Sequence, residues 1–282
     1  MLCRSRALSA LTACALLACP LVACALTACA DAPQSRLSVP LWVAGSAPAE
    51  VTDGPHLTRA HIAFGPLYLC AGAQAGELCE SARLEWLDAA VVDALDPTPA
   101  EVGALEGLSG EVRSWMYDLG VSSQLDRAAP YALDAARALG GSARLEGEWR
   151  VGGVAVARFE VTLEVSPGEG AERGVPQVRK GLSERFEREV SPGDALTARF
   201  DPNALIGSFT ARALLEGAEC SVELTAVEPA PEPAPEPAPE LTLARCGGVW
   251  RVREGAVIAR QLTNNLTLSA RPRFEWSRDS NP

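Results

Sequence analysis

This chain of 282 residues is short of the residues that do most enzymatic chemistry. Histidine occurs twice, at His56 and His61, and lysine once, at Lys180. Two histidines leave almost no choice of general base, and no G-x-S-x-G elbow is present to supply an activated serine. Methionine occurs only at Met1 and Met116, so no methionine-rich metal motif exists. Basic residues are outnumbered by acidic ones and the net charge is −11, which excludes nucleic acid as a partner because phosphate recognition needs a basic surface. Phosphate-binding glycine loops and calcium loops are missing as well. Beyond residue 28 no apolar run is long enough to cross a bilayer. Together these absences point to a protein that is not a catalyst.

What is present starts at the N-terminus. Arg4 and Arg6 precede an apolar run from Ala7 to Ala28, the pattern of an export signal. The run ends at Leu26-Thr27-Ala28-Cys29, which resembles the lipobox of bacterial lipoproteins. The resemblance implies cleavage before Cys29 by signal peptidase II and diacylglycerol on its sulfur. It also implies an acyl chain on the new amino group. Cys14, Cys19 and Cys24 recur at the same five-residue spacing. Cys24 is the rival, but polar sequence begins directly after Cys29. Ala30, where family members retained in the inner membrane carry Asp, implies transfer to the outer membrane. The same 22 residues, left uncleaved, would suffice to span a bilayer, and cleavage without lipid would give ordinary secretion. The body of the chain resembles only uncharacterised cell-envelope lipoproteins, a likeness that implies no active site.

Four cysteines follow Cys29: Cys70, Cys79, Cys220 and Cys246. An even number in an exported chain predicts disulfides. Three pairings are open, and Cys70–Cys79 with Cys220–Cys246 is favoured. The first closes a short glycine-bearing loop and the second joins the two sides of a proline-rich segment. The alternative use of the same residues is a copper or zinc site from His56, His61, Cys70 and Cys79, although the spacing fits no compact metal knuckle. No cofactor is expected.

Alternation predicts a mostly β fold, an antiparallel sandwich-like domain with one or two short helices. A tether spans 29–36 and the β-rich domain 37–227. Strands are expected from Leu37 to Val43 and over 60–69, where Pro66 predicts an edge or a bulge. Helical spacing of Leu84, Leu87, Val91, Val92 and Leu95 predicts a short helix over 83–95. The stretch 110–119 reads as a strand. Residues 142–165 read as a hairpin turning at Gly152-Gly153. A loop follows over 166–177, and 178–190 reads as an exposed strand or a short helix. Further strands are expected over 196–200, 208–215 and 220–227.

Residues 228–240, EPAPEPAPEPAPE, predict an extended polyproline II insertion or linker. The last 42 residues are too few for a core of their own. Strands over 241–252 and 256–268, with Phe274 and Trp276 capping the core, are expected to complete the β-domain.

The remaining candidates for recognition are aromatic. Trp115 with Tyr117, and Trp149, lie on predicted strands where exposed rings could stack on a ligand; core packing is the competing use of such rings. The expected function is a lipid-anchored, non-catalytic binding or assembly module of the cell envelope. Its partners are the membrane, through its lipid, and an envelope protein or ligand. The alternatives are a metal-binding lipoprotein and an envelope hydrolase.

Overall fold

Leu37, Val39, Leu41 and Val43 alternate with Arg36, Ser38, Pro40 and Trp42, and in the computed structural model they form β1 (Arg36–Ala44) with the first set buried. The structure describes residues 34–72, 82–122, 131–165, 179–182, 187–221 and 239–278. The chain divides into two units, Met1–Gln34 and Ser35–Pro282, and every helix and strand described belongs to the second.

After β1 come β2 (Gly54–Phe64), β3 (Leu67–Cys70), β4 (Ala82–Trp86), β5 (Ala90–Asp93) and β6 (Ala100–Leu108). Then follow β7 (Gly110–Val112), β8 (Ser114–Tyr117), β9 (Val121–Ser122), β10 (Tyr131–Ala132) and α1 (Asp134–Leu139). The central hairpin is β11 (Ala143–Val151) and β12 (Val154–Leu163), followed by β13 (Arg179–Leu182), β14 (Arg188–Val190) and β15 (Asp194–Arg199). The chain continues through α2 (Asn203–Ile206), α3 (Ala211–Gly217), β16 (Ala218–Cys220), α4 (Pro239–Ala244) and β17 (Val249–Val252). It closes with α5 (Val257–Asn264), a π-helical turn (Asn265–Ser269) and β18 (Arg273–Arg278).

Two sheets carry the fold. One has eight strands in the order β13-β8-β3-β4-β6-β1-β15-β18, and the other six in the order β16-β17-β12-β11-β2-β5. Their buried faces share a single apolar cluster, so the architecture is a mostly β sandwich. It is not purely antiparallel: β1 runs parallel to β15, and β12 parallel to β17. β17 and β18 therefore join opposite sheets, the first beside β12 and β16 and the second beside β15.

The stretch 60–69 is neither one strand nor an edge. It breaks at Gly65-Pro66, where the chain leaves the six-stranded sheet and enters the eight-stranded one. Pro66 costs no ladder bond there because it occupies the corner between sheets. Gly65 sits at φ +115°, and a Cβ on it would lie 2.3 Å from the Asp88 carbonyl oxygen. At this corner Phe64 packs against Trp86, Tyr117, Phe200 and Phe274, with ring centroids 5.3–6.5 Å apart.

Several expected elements change type. The helix over 83–95 is instead β4 and β5: Leu84 and Trp86 are buried two residues apart, while Leu87 and Val91, on the supposed helical face, are about 40% exposed. The strand over 208–215 is helix α3, started by Thr210, whose hydroxyl accepts from the Ala213 N–H. The strand over 256–268 is α5 and the π-helical turn, with Ile258, Leu262 and Leu266 buried four residues apart. Of 241–252, the first residues complete α4 and only Val249–Val252 is extended. Most of the proline-rich segment, the loop over 166–177 and residues 222–227 lie outside the described residues, though Pro239 and Glu240 open α4. The 142–165 hairpin forms as expected, with Ala143, Leu145, Trp149, Phe159, Val161 and Leu163 buried.

Candidate functional site

The aromatic candidates fall inside the fold. Trp115 is 7% exposed, Tyr117 2% and Trp149 5%, so none offers a ring face to a ligand. Trp115 and Tyr117 pack against Phe274, and Trp149 meets Phe209 edge-on at 6.1 Å. Core packing thus claims the rings that ligand stacking would have needed.

His56 and His61 both lie on β2. His56 is in register with Glu148, and His61 lies between Asp93 and Arg144. An extra residue between the two positions shifts the register of β2 against β11. His56 is almost wholly buried and its Nδ1 has no hydrogen-bond partner among the described residues. Cys70 belongs to β3 in the other sheet, beside Tyr68 and Met116, and is disulfide-bonded. Among the described residues no three His, Cys, Asp or Glu side chains gather as a metal-holding group. Cys79, the fourth member of that set and the expected partner of Cys70, lies outside the described residues, as do Cys24 and Cys29. Cys220 and Cys246 form the expected disulfide, with Cα atoms 5.9 Å apart.

The histidines border a polar surface. Strands β2, β11, β12 and β17 turn charged side chains outward in rows. Glu146 pairs with Arg59 at 2.8 Å, and Arg144 pairs with Glu160 at 2.6 Å. Arg251 reaches Glu160 at 3.5 Å, and Arg150 reaches Glu148 at 3.3 Å. The side chains of Glu146, Glu148 and Glu160 are 24–29% exposed, which lets these pairs exceed the small contribution of fully exposed ones. Arg59 opposite Glu146 and Arg251 opposite Glu160 are opposite-charge pairs in register across neighbouring strands, and Arg144 reaches Glu160 diagonally where Glu146 and Glu160 face each other.

One concave feature of the described surface is an open groove of about 590 Å³ between α3 and the start of α5. Thr210, Arg212, Glu216, Arg253 and Gln261 line its polar side, and Ala213, Ala256 and Ile258 its apolar floor. Arg253 donates to the Glu216 carbonyl at 2.7 Å and faces Glu219 at 3.7 Å. An all-strand reading of both walls hides this groove; the spacing of Ile258 and Leu262 is the signal that could have revealed it.

No protein-family model matches the chain, and no curated protein matches it. MbnP from Methylosinus trichosporium is similar in structure at 11% identity, over 63% of this chain and 79% of that one, with a TM-score of 0.32. At that score the likeness carries no argument about site or activity. No helix among the described residues is long and apolar enough to cross a membrane.

Proposed function

We propose that this chain is exported, lipidated at Cys29 and held at the cell envelope, where its β-sandwich serves as a non-catalytic binding or assembly module. The observation that carries the reading is the pairing of an export-type leader with oxidised cysteines in the body. Cys70 and the Cys220–Cys246 pair are all disulfide-bonded, a state that belongs to oxidising compartments. A diacylglycerol plus a third acyl chain at Cys29 exceeds what stable anchoring needs. The groove between α3 and α5, with paired charges at its rim and an apolar floor, is the place we assign to a ligand. The outer membrane is the proposed destination, from Ala30.

The test is intact mass of the protein extracted from membranes, with and without reduction, beside a Cys29→Ser variant. The expected result is a lipid-sized mass increment on the wild type, a gain of about four daltons on reduction of two disulfides, and no lipid increment on the variant, which keeps its uncleaved leader. A wild type without the increment, or a variant that still carries it, overturns the anchor. Free thiols at Cys70 and Cys79 with stoichiometric copper or zinc would replace the binding-module reading with the metal-binding one.

A further inference from the structure

We infer that one particular end of the sandwich, the end carrying Ser35, Leu108 and Arg278, rests against the phospholipid surface. This inference rests on the proposed lipidation of Cys29. The start of β1 is fastened to the β6–β7 turn: Ser109 Oγ accepts from the Ser35 N–H at 2.9 Å, and the Ser109 N–H donates to the Ser35 carbonyl at 2.8 Å. Ser35 therefore moves with the domain. Six residue steps separate Cys29 from Ser35, a reach of about 20 Å when fully extended. β6 runs antiparallel to β1, with Leu108 opposite Arg36 and Ala100 opposite Val43, so its ends lie about 27 Å apart. The reach is shorter than the strand, so the tether is too short for the Ala100 end to replace the Leu108 end at the membrane.

The chemistry of the near end suits phosphate headgroups. Leu108 is 39% exposed although apolar. Arg36 and Arg113 are exposed beside it. Arg278 arrives at the same end, because β15 runs parallel to β1 and Arg278 stands opposite the first residue of β15. Its side chain is 76% exposed, with Nε 3.8 Å from the buried Asp194 carboxylate. Glu111 pairs with Arg113 at 2.6 Å, and together with Glu187 and Glu189 it limits the local excess of positive charge. Guanidinium groups bind phosphate oxygens in a two-pronged geometry, and a half-exposed leucine fits the headgroup boundary. The chain as a whole is strongly acidic, so attachment comes from the lipid and the tether, while the arginines select which end lies down.

The full-length lipidated protein, reconstituted in vesicles of phosphatidylethanolamine and phosphatidylglycerol, tests this. A fluorophore is attached through Leu108→Cys or, on the opposite turn, Thr98→Cys, and quenched by lipids with a headgroup-linked quencher. Arg113→Cys is a second reporter on the near end. Intact mass confirms the lipid and the native disulfides in each sample. Severalfold stronger quenching at positions 108 and 113 than at 98 is expected. Equal quenching, or stronger quenching at 98, in lipidated protein overturns the orientation and leaves the anchor standing. Absence of the lipid in the mass spectrum overturns both.

Discussion

Gly65 and Gly153 both hold positive φ, +115° and +80°, but they differ in surroundings. The missing Cβ of Gly65 leaves space that the Asp88 carbonyl and the Trp86 ring already occupy, at 2.3 and 2.7 Å. Gly153 forms the hairpin turn and has only a Thr52 methyl, at 3.9 Å, near that position. Gly65→Ala is expected to cost on the order of 3 kcal/mol, from strain plus backbone displacement at the sheet corner. Gly153→Ala should cost about 1 kcal/mol, from φ alone. Urea unfolding of the two variants checks the ordering; equal losses would show that the corner relaxes around the added methyl. A milder residue-scale effect is seen at Asp96. The Thr98 backbone N–H donates to its carboxylate, which holds the group below the usual carboxylate range and fixes the turn leading into β6.

The strands that alternate cleanly are legible in the amino-acid order alone, and the reason is physical. In β11 buried apolar residues alternate with charged ones, and in β1 and β12 buried Leu, Val and Phe alternate with more exposed residues of other kinds, so the period of two is written in the residue types. The helices are illegible because alanine and a mixture of weakly polar residues dominate them. ARALLEG in α3 and VIARQLTN in α5 offer few residues whose polarity separates a period of 3.6 from a period of two. β6, AEVGALEGL, has the same weakness and carries no signal. The candidate site is still less legible. The groove depends on how α3 and α5 meet, and the candidate rings are buried by partners distant in sequence.

Another feature at the scale of elements joins β14, β15 and β18. The Asp194 side chain is fully buried and accepts from Arg188 at 2.5 Å and from the Ser191 N–H at 2.9 Å. Arg188 also lies over the Trp276 ring, 5.5 Å from its centroid. Asp194→Asn removes the charge but keeps the size, leaving Arg188 without its counter-charge. The expected loss is about 2–3 kcal/mol, less than for a fully buried pair because Arg188 retains partial exposure. Thermal unfolding should show a melting point several degrees lower; an unchanged melting point would mean that the turn 191–193 holds β15 and β18 without the carboxylate.

At the scale of the molecule, the Cys220–Cys246 bond spans 26 residues between the end of β16 and the turn after α4. Its loss through Cys220→Ser with Cys246→Ser should cost about 3 kcal/mol by loop-closure entropy. The damage should concentrate on β16 and β17, the outer strands of the six-stranded sheet, where Trp250 donates to the Leu243 carbonyl at 3.2 Å. Hydrogen exchange resolved by peptide measures this: faster exchange confined to 218–220 and 249–252 is expected. Uniform acceleration across both sheets would instead mean that the fold depends on the staple as a whole.

The placement of β1 and β18 on either side of β15 leaves the two ends of the described chain side by side. They are two strand spacings apart laterally and, with the offset along the strands, roughly 15 Å from end to end. A bridge of five or six residues could therefore close the polypeptide into a ring, and the ring could be reopened at Gly152-Gly153. Such a circular permutant of residues 35–278 would keep every strand pairing of the described residues except the hairpin link and would carry its new termini at the tip of the β11–β12 hairpin, a handle for labels or fusions.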